Sequence, residues 1–70
     1  MSLNIENLKK LMQEKYKGNY NAFARATGIN VALLHRILNG KGGAGMKTIN
    51  EVVEFCKKND LKVEDYIFLP

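Results

Sequence analysis

The sequence predicts an all-α fold of five short helices, compact, with the second and third joined by a tight turn. Three observations predict it. Apolar residues recur at helical spacing through most of the 70 residues. Asn or Thr stands before most of these runs and Gly after several of them. No alternating run of convincing length for a β-strand appears.

Asn4 can cap a first helix from Ile5 to Tyr16, in which Ile5, Leu8, Leu11 and Met12 share one face and Lys9, Lys10, Gln13 and Glu14 the other. Gly18 ends it, and Asn19 caps a short second helix through Phe23 and Ala24 to Thr27, stopped by Gly28. Asn30 opens a third, from Val31 to Leu38, with Leu33, Leu34 and Ile37 for apolar contact and Asn39-Gly40 as terminus. Residues 40–45 carry four of the six glycines and form a loop, since that much backbone freedom is costly to fix in a helix. Thr48-Ile49-Asn50-Glu51 fits a capping box for a fourth helix ending near Asn59, its stripe being Ile49, Val52, Val53 and Cys56. Leu61, Val63, Tyr66 and Ile67 suggest a short fifth helix over residues 63–68, stopped before Pro70.

A chain of this length holds one domain, taken as residues 1–70, and buries too little surface for a roomy catalytic cleft. The single Cys56 cannot form an internal disulfide, as suits a reducing cytoplasmic setting. With no second Cys and only one His, His35, neither a metal site nor a set of nucleophile, base and orienting group can be composed; no cofactor and no enzymatic activity are expected. The opening Met1-Ser2-Leu3-Asn4-Ile5-Glu6 lacks a signal-peptide pattern, and no apolar run approaches the roughly 20 residues of a membrane span. A net charge of +4 leans toward polyanionic partners without identifying one. The cluster Lys9, Lys10, Lys15 and Lys17 reads as a solvated helix face.

More specific is the register of Phe23-Ala24, Thr27-Gly28-Ile29, Leu34 and Ile37. A small residue lets a second helix cross close above the first, and a glycine supplies the positive φ that a turn between helices at about 90 to 120° commonly needs. The alternative is two unrelated short helices in a bundle.

The stretch 19–41, which carries these residues and ends in Asn39-Gly40-Lys41, resembles the Cro and phage-repressor group, the lambda-repressor-like helix-turn-helix proteins. The ending Leu61-Lys62-Val63-Glu64-Asp65-Tyr66 is similar to that group's last helix. The resemblance implies a helix-turn-helix over residues 19–40, and a repressor of transcription that binds double-stranded DNA as a homodimer. Departures are Thr27 where a larger aliphatic is usual, Leu38 where Glu is frequent, and Tyr20 where Gln often begins the second helix.

On this resemblance Asn30, Val31, Ala32 and Arg36 occupy the base-reading positions. Spacing also puts Ala32, His35 and Arg36 opposite Leu34 and Ile37. Arg36 can make a bidentate contact to guanine, and Val31 and Ala32 can touch a thymine methyl. Asn30 is equally a plain helix cap. Phosphate contact falls to Asn19, Tyr20, His35, Asn39 and Lys41, aided by backbone donors of the loop after Gly40; the loop read alone is equally a flexible connector. Phe55, lying off the stripe of its helix, and Tyr66, Phe68 and Leu69 form a candidate dimer interface, or pack the tail onto the first helix. A protein-binding module, such as an antitoxin or adaptor, is the alternative function, favoured by the few polar groups on the reading helix.

Overall fold

A computed structural model describes all residues, Met1–Pro70. Four α-helices make up most of it: α1 (Ile5–Tyr16), α2 (Tyr20–Thr27), α3 (Val31–Leu38) and α4 (Met46–Lys58). The first three begin where an Asn side chain accepts a hydrogen bond from the first turn. Asn4 accepts from the Asn7 amide at 3.2 Å, Asn19 from Ala22 at 3.1 Å, and Asn30 from Ala32 at 2.9 Å and Leu33 at 3.4 Å. Each bond satisfies an amide that the helix itself leaves unpaired.

Helix α4 starts earlier than its capping-box pattern suggests. It opens at Met46 from an extended Gly45 with no side-chain cap, and Thr48 sits inside the first turn, buried. Including Thr48 shifts the buried stripe to Thr48, Ile49, Val52, Phe55 and Cys56. Phe55 therefore lies on the core face, seven residues after Thr48, and Val53 is only half-buried.

The fifth helix expected over residues 63–68 is absent. In its place a single 3₁₀ turn, Val63–Asp65, leads into a strand, β2 (Ile67–Phe68), which pairs antiparallel with β1 (Ser2–Leu3) at the other end of the chain. The alternation of a strand sends Ile67 into the core at 1% exposure and Phe68 outward at 56%. The Asn4 amide donates to the Tyr66 carbonyl at 2.8 Å, and Asn7 Nδ2 to the Asp65 carbonyl at 2.6 Å, so α1 and the C-terminal segment are fastened together.

One cluster of 15 buried apolar residues draws on β1, β2 and all four helices. Phe23 lies at its centre, with its ring 5.2 Å from Tyr16 and 5.8 Å from Phe55 in an edge-on contact. Such tilted and edge-on pairings add to area burial because the ring edge is positive and the face negative. Cys56 is fully buried there; burial, and then the charge of Asp65, push its thiol above the ordinary value. No helix is long and apolar enough to cross a membrane.

Candidate nucleic-acid interface

Helices α2 and α3 meet through a turn held by its own side chains. Gly28 takes φ 82°, the left-handed conformation, and its amide donates to the Ala24 carbonyl at 2.8 Å. A Cβ there would meet only Glu51 Oε2 at 3.6 Å, so backbone conformation rather than space calls for glycine. Thr27, buried where an aliphatic residue would be usual in the family it resembles, uses its hydroxyl. Oγ1 donates toward the Phe23 carbonyl at 2.9 Å, with the Ala24 carbonyl at 3.3 Å, and accepts from the Ile29 amide at 3.3 Å. Ile29 follows into the core and Asn30 opens α3.

The buried face of α3 is Leu34, Ile37 and Leu38, the last with no exposed surface. Asn30, Ala32, His35, Arg36 and Asn39 are exposed, while Val31 and Leu33 are half-buried. Asn30 Oδ1 is engaged by the cap, which leaves its Nδ2 hydrogens as the free donors. His35 lies face to face with Tyr20 of α2, ring centroids 3.7 Å apart and planes 11° from parallel. The Arg36 guanidinium leans toward the glycine loop, 3.7 Å from where a Cβ on Gly42 would stand.

His35, Arg36, Asn39 and Lys41 line a cleft of about 350 Å³ with no apolar and no acidic residue in its wall. The sequence separates Arg36 as a base reader from the other three as phosphate contacts; the structure brings all four together. The expected backbone donors shift along the loop. The amides of Asn39, Gly40 and Lys41 are bonded to the carbonyls of His35, Ile37 and Arg36 at the end of α3. Asn39 Nδ2 also donates to the His35 carbonyl, at 2.7 Å. Loop amides that could face a ligand therefore belong to residues 42–45. At the start of α2, the Asn19 cap reaches Ala22 and leaves the Tyr20 and Asn21 amides beyond it.

Charge is distributed unevenly along the chain. Between Glu14 and Glu51 there is no acidic residue, but there are Lys15, Lys17, Arg25, Arg36, Lys41 and Lys47. Sequence pattern assigns Arg25 and Lys47 no site role. They line a second groove, about 640 Å³, between α2, the start of α3 and the start of α4, with Asn21, Asn30 and Glu51. The run of cations from Lys15 to Lys47 is the sequence signal that marks them, with Glu51 closing the groove.

The residues expected at a dimer interface separate. Phe55 is 3% exposed, packed against Phe23 and Tyr16, and offers no surface to a partner. Tyr66 is half-buried against the core. Burial, then the charges of Asp65, Cys56 and Glu14, raise its phenol above the ordinary value. Phe68 and Leu69 are exposed, and Met1 lies at the same end, beside the Ser2–Phe68 pair.

Short Asn-capped helices around a positive-φ glycine, with the cationic cleft of Arg36 and Lys41 beside them, are the features of a helix-turn-helix protein. The chain belongs to the Cro/C1-type HTH DNA-binding domain family, whose model matches residues 7–65. No curated protein and no solved structure matches it. The matched span takes in the four helices from Asn7 onward and the 3₁₀ turn, and leaves out both strands.

Proposed function

We propose that the chain is a sequence-specific regulator of transcription, a repressor, in which α2 and α3 form the helix-turn-helix and α3 enters the major groove of double-stranded DNA. The carrying observation is the run of cations with no carboxylate between Glu14 and Glu51, which includes the exposed face of α3. A duplex carries one phosphate charge per roughly 1.7 Å of axis, so it favours the cation-rich face, whose α3 cleft holds no carboxylate.

In this reading Ala32 and Val31 offer methyl groups to thymine, and Asn30 offers Nδ2 to an acceptor on a base edge. Arg36 swings from Gly42 to make paired donations to guanine. Asn19, Tyr20, His35, Asn39 and Lys41, with the free amides at the start of α2 and of residues 42–45, take the phosphates. One copy covers a short half-site, so two copies spaced about 34 Å along the duplex supply the specificity. Met1, Phe68 and Leu69 are the exposed apolar side chains that this dimer would cover. Residues 1–70 act as one domain.

Titration of fluorescent duplex at several salt concentrations tests the reading. Affinity should fall with salt at a log–log slope of about −0.9 for each phosphate engaged. Lys41→Ala should weaken all sequences alike and flatten that slope by about 0.9, whereas Arg36→Ala should relax preference at one base position by about 1–3 kcal/mol. Salt-independent or absent binding would sink the DNA reading. That outcome would favour a protein-binding module, which the half-buried apolar Val31 and Leu33 at the start of α3 would suit.

A further inference from the structure

We propose that Tyr20 and His35 act as one unit which couples DNA binding to uptake of a proton: Tyr20 holds the imidazole flat against its ring, and His35 grips a phosphate as the imidazolium. The inference rests on the DNA-binding reading above and adds a regulation of that same surface.

The stack carries it. Neutral aromatic pairs gain most when offset or edge-on, with centroids about 4.5–7 Å apart. These rings lie nearly parallel with centroids at 3.7 Å. A cation over the electron-rich face of a tyrosine is attracted by it, which suits a protonated imidazole. His35 also stands in the last turn of α3, where the helix dipole favours positive charge.

The groups facing His35 set the direction of coupling. From α2 comes the neutral Tyr20 ring. From α3 itself come Arg36 and the uncharged Asn39, and from the loop comes Lys41. No carboxylate lines the cleft. Arg36 and Lys41 bring two positive charges to the cleft beside His35. A bound phosphate attracts all three, so the bound state holds the proton more firmly than the free state. Imidazole is the side chain that changes charge between about pH 5 and 8. Affinity should accordingly rise as pH falls through that range. Because the ring is held in place, little side-chain freedom is lost when it meets the phosphate.

His35 is the only histidine, so its ring C–H proton signal can be followed without ambiguity. The experiment measures affinity for duplex at pH 5.5, 6.5, 7.5 and 8.5 over a range of salt, and the His35 titration with and without duplex. For the wild type, affinity should gain about tenfold toward low pH for each unit by which DNA raises the titration midpoint. The salt slope should steepen by about 0.9, one more phosphate contact. His35→Gln should bind with no such gain and an unchanged slope. Tyr20→Leu should lose most of the gain, and Tyr20→Phe, which keeps the ring, should retain it. Thermal melts of both Tyr20 variants separate loss of the stack from loss of the fold.

A salt-dependent affinity that ignores pH, or an identical pH response in His35→Gln, overturns this inference and leaves the DNA reading intact. An unmoved His35 midpoint on binding does the same. Absence of salt-dependent binding at every pH overturns both.

Discussion

The turn between α2 and α3 and the closure of the two chain ends are both tight junctions, yet they are held by opposite means. In the turn, every bond joins residues within four positions: Thr27 to Phe23, Ala24 and Ile29, Gly28 to Ala24, and Asn30 to Ala32 and Leu33. In the closure, Leu3 pairs with Ile67, Asn4 with Tyr66, and Asn7 with Asp65 across almost the full chain. The turn lies inside the span matched to the family, and both closing strands lie outside it. Local chemistry builds the turn between α2 and α3, and a long-range contact seals the core beneath it.

The closure should be the costlier of the two to break. Ile67 is 1% exposed and belongs to the central cluster, so Ile67→Ala should lower stability by about 2–5 kcal/mol in urea unfolding. If the strands were a loose appendage, the loss would fall well below 1 kcal/mol, and the four helices would stand as a unit without them.

The difference also explains what the sequence could reveal. Asn4, Asn19 and Asn30 announce themselves because a cap bonds within three residues, and Gly28 because its neighbours alone define its conformation. The segment 63–68 reads as a helix because Val63, Tyr66 and Ile67 have helical spacing, while the strand that claims it lies at the other end of the chain. A two-residue strand carries no periodicity of its own. Phe55 reads as lying off the stripe for a related reason. Thr48, a polar residue read as a cap, is in fact the first member of the buried stripe, and leaving it out turns the face of α4 away from Phe55. On the candidate surface of α3 and the glycine loop, the identities of the exposed residues are legible. Their grouping is not, because the Tyr20–His35 stack and the lean of Arg36 toward Gly42 depend on how α2, α3 and the loop pack.

Breaking the turn should cost less. Thr27→Val keeps the shape of the side chain but removes the hydroxyl, so the buried Ile29 amide loses its acceptor. An unsatisfied buried donor costs about 1–3 kcal/mol, and urea unfolding should show a loss in that range. A neutral outcome would mean that the turn is held by Gly28 and packing alone. Duplex affinity at a temperature where the variant stays folded should fall if Asn30 and the start of α3 shift with the turn.

The smallest effect at neutral pH separates the two junctions by titration. Cys56 and Tyr66 both have raised proton affinities, each first through burial and then through the charge of Asp65, whose carbonyl Asn7 holds in the closure. A raised value means that the folded state keeps its proton where the unfolded chain has released it. Stability from these groups is complete below their unfolded values, about 8.5 for a thiol and 10 for a phenol, and declines as pH rises through the folded values. Urea midpoints should therefore hold steady from pH 7 to 8 and fall above about pH 8.5. Asp65→Asn should soften the fall by removing the second cause of both shifts. Cys56→Ala should begin from a lower midpoint because of the cavity it leaves, yet show a shallower decline between pH 8.5 and 9.5. The turn contains no such acid, since Thr27, Gly28, Ile29 and Asn30 do not ionise in this range. Alkaline weakening that survives unchanged in both variants would mean that neither Cys56 nor the charge of Asp65 is its source.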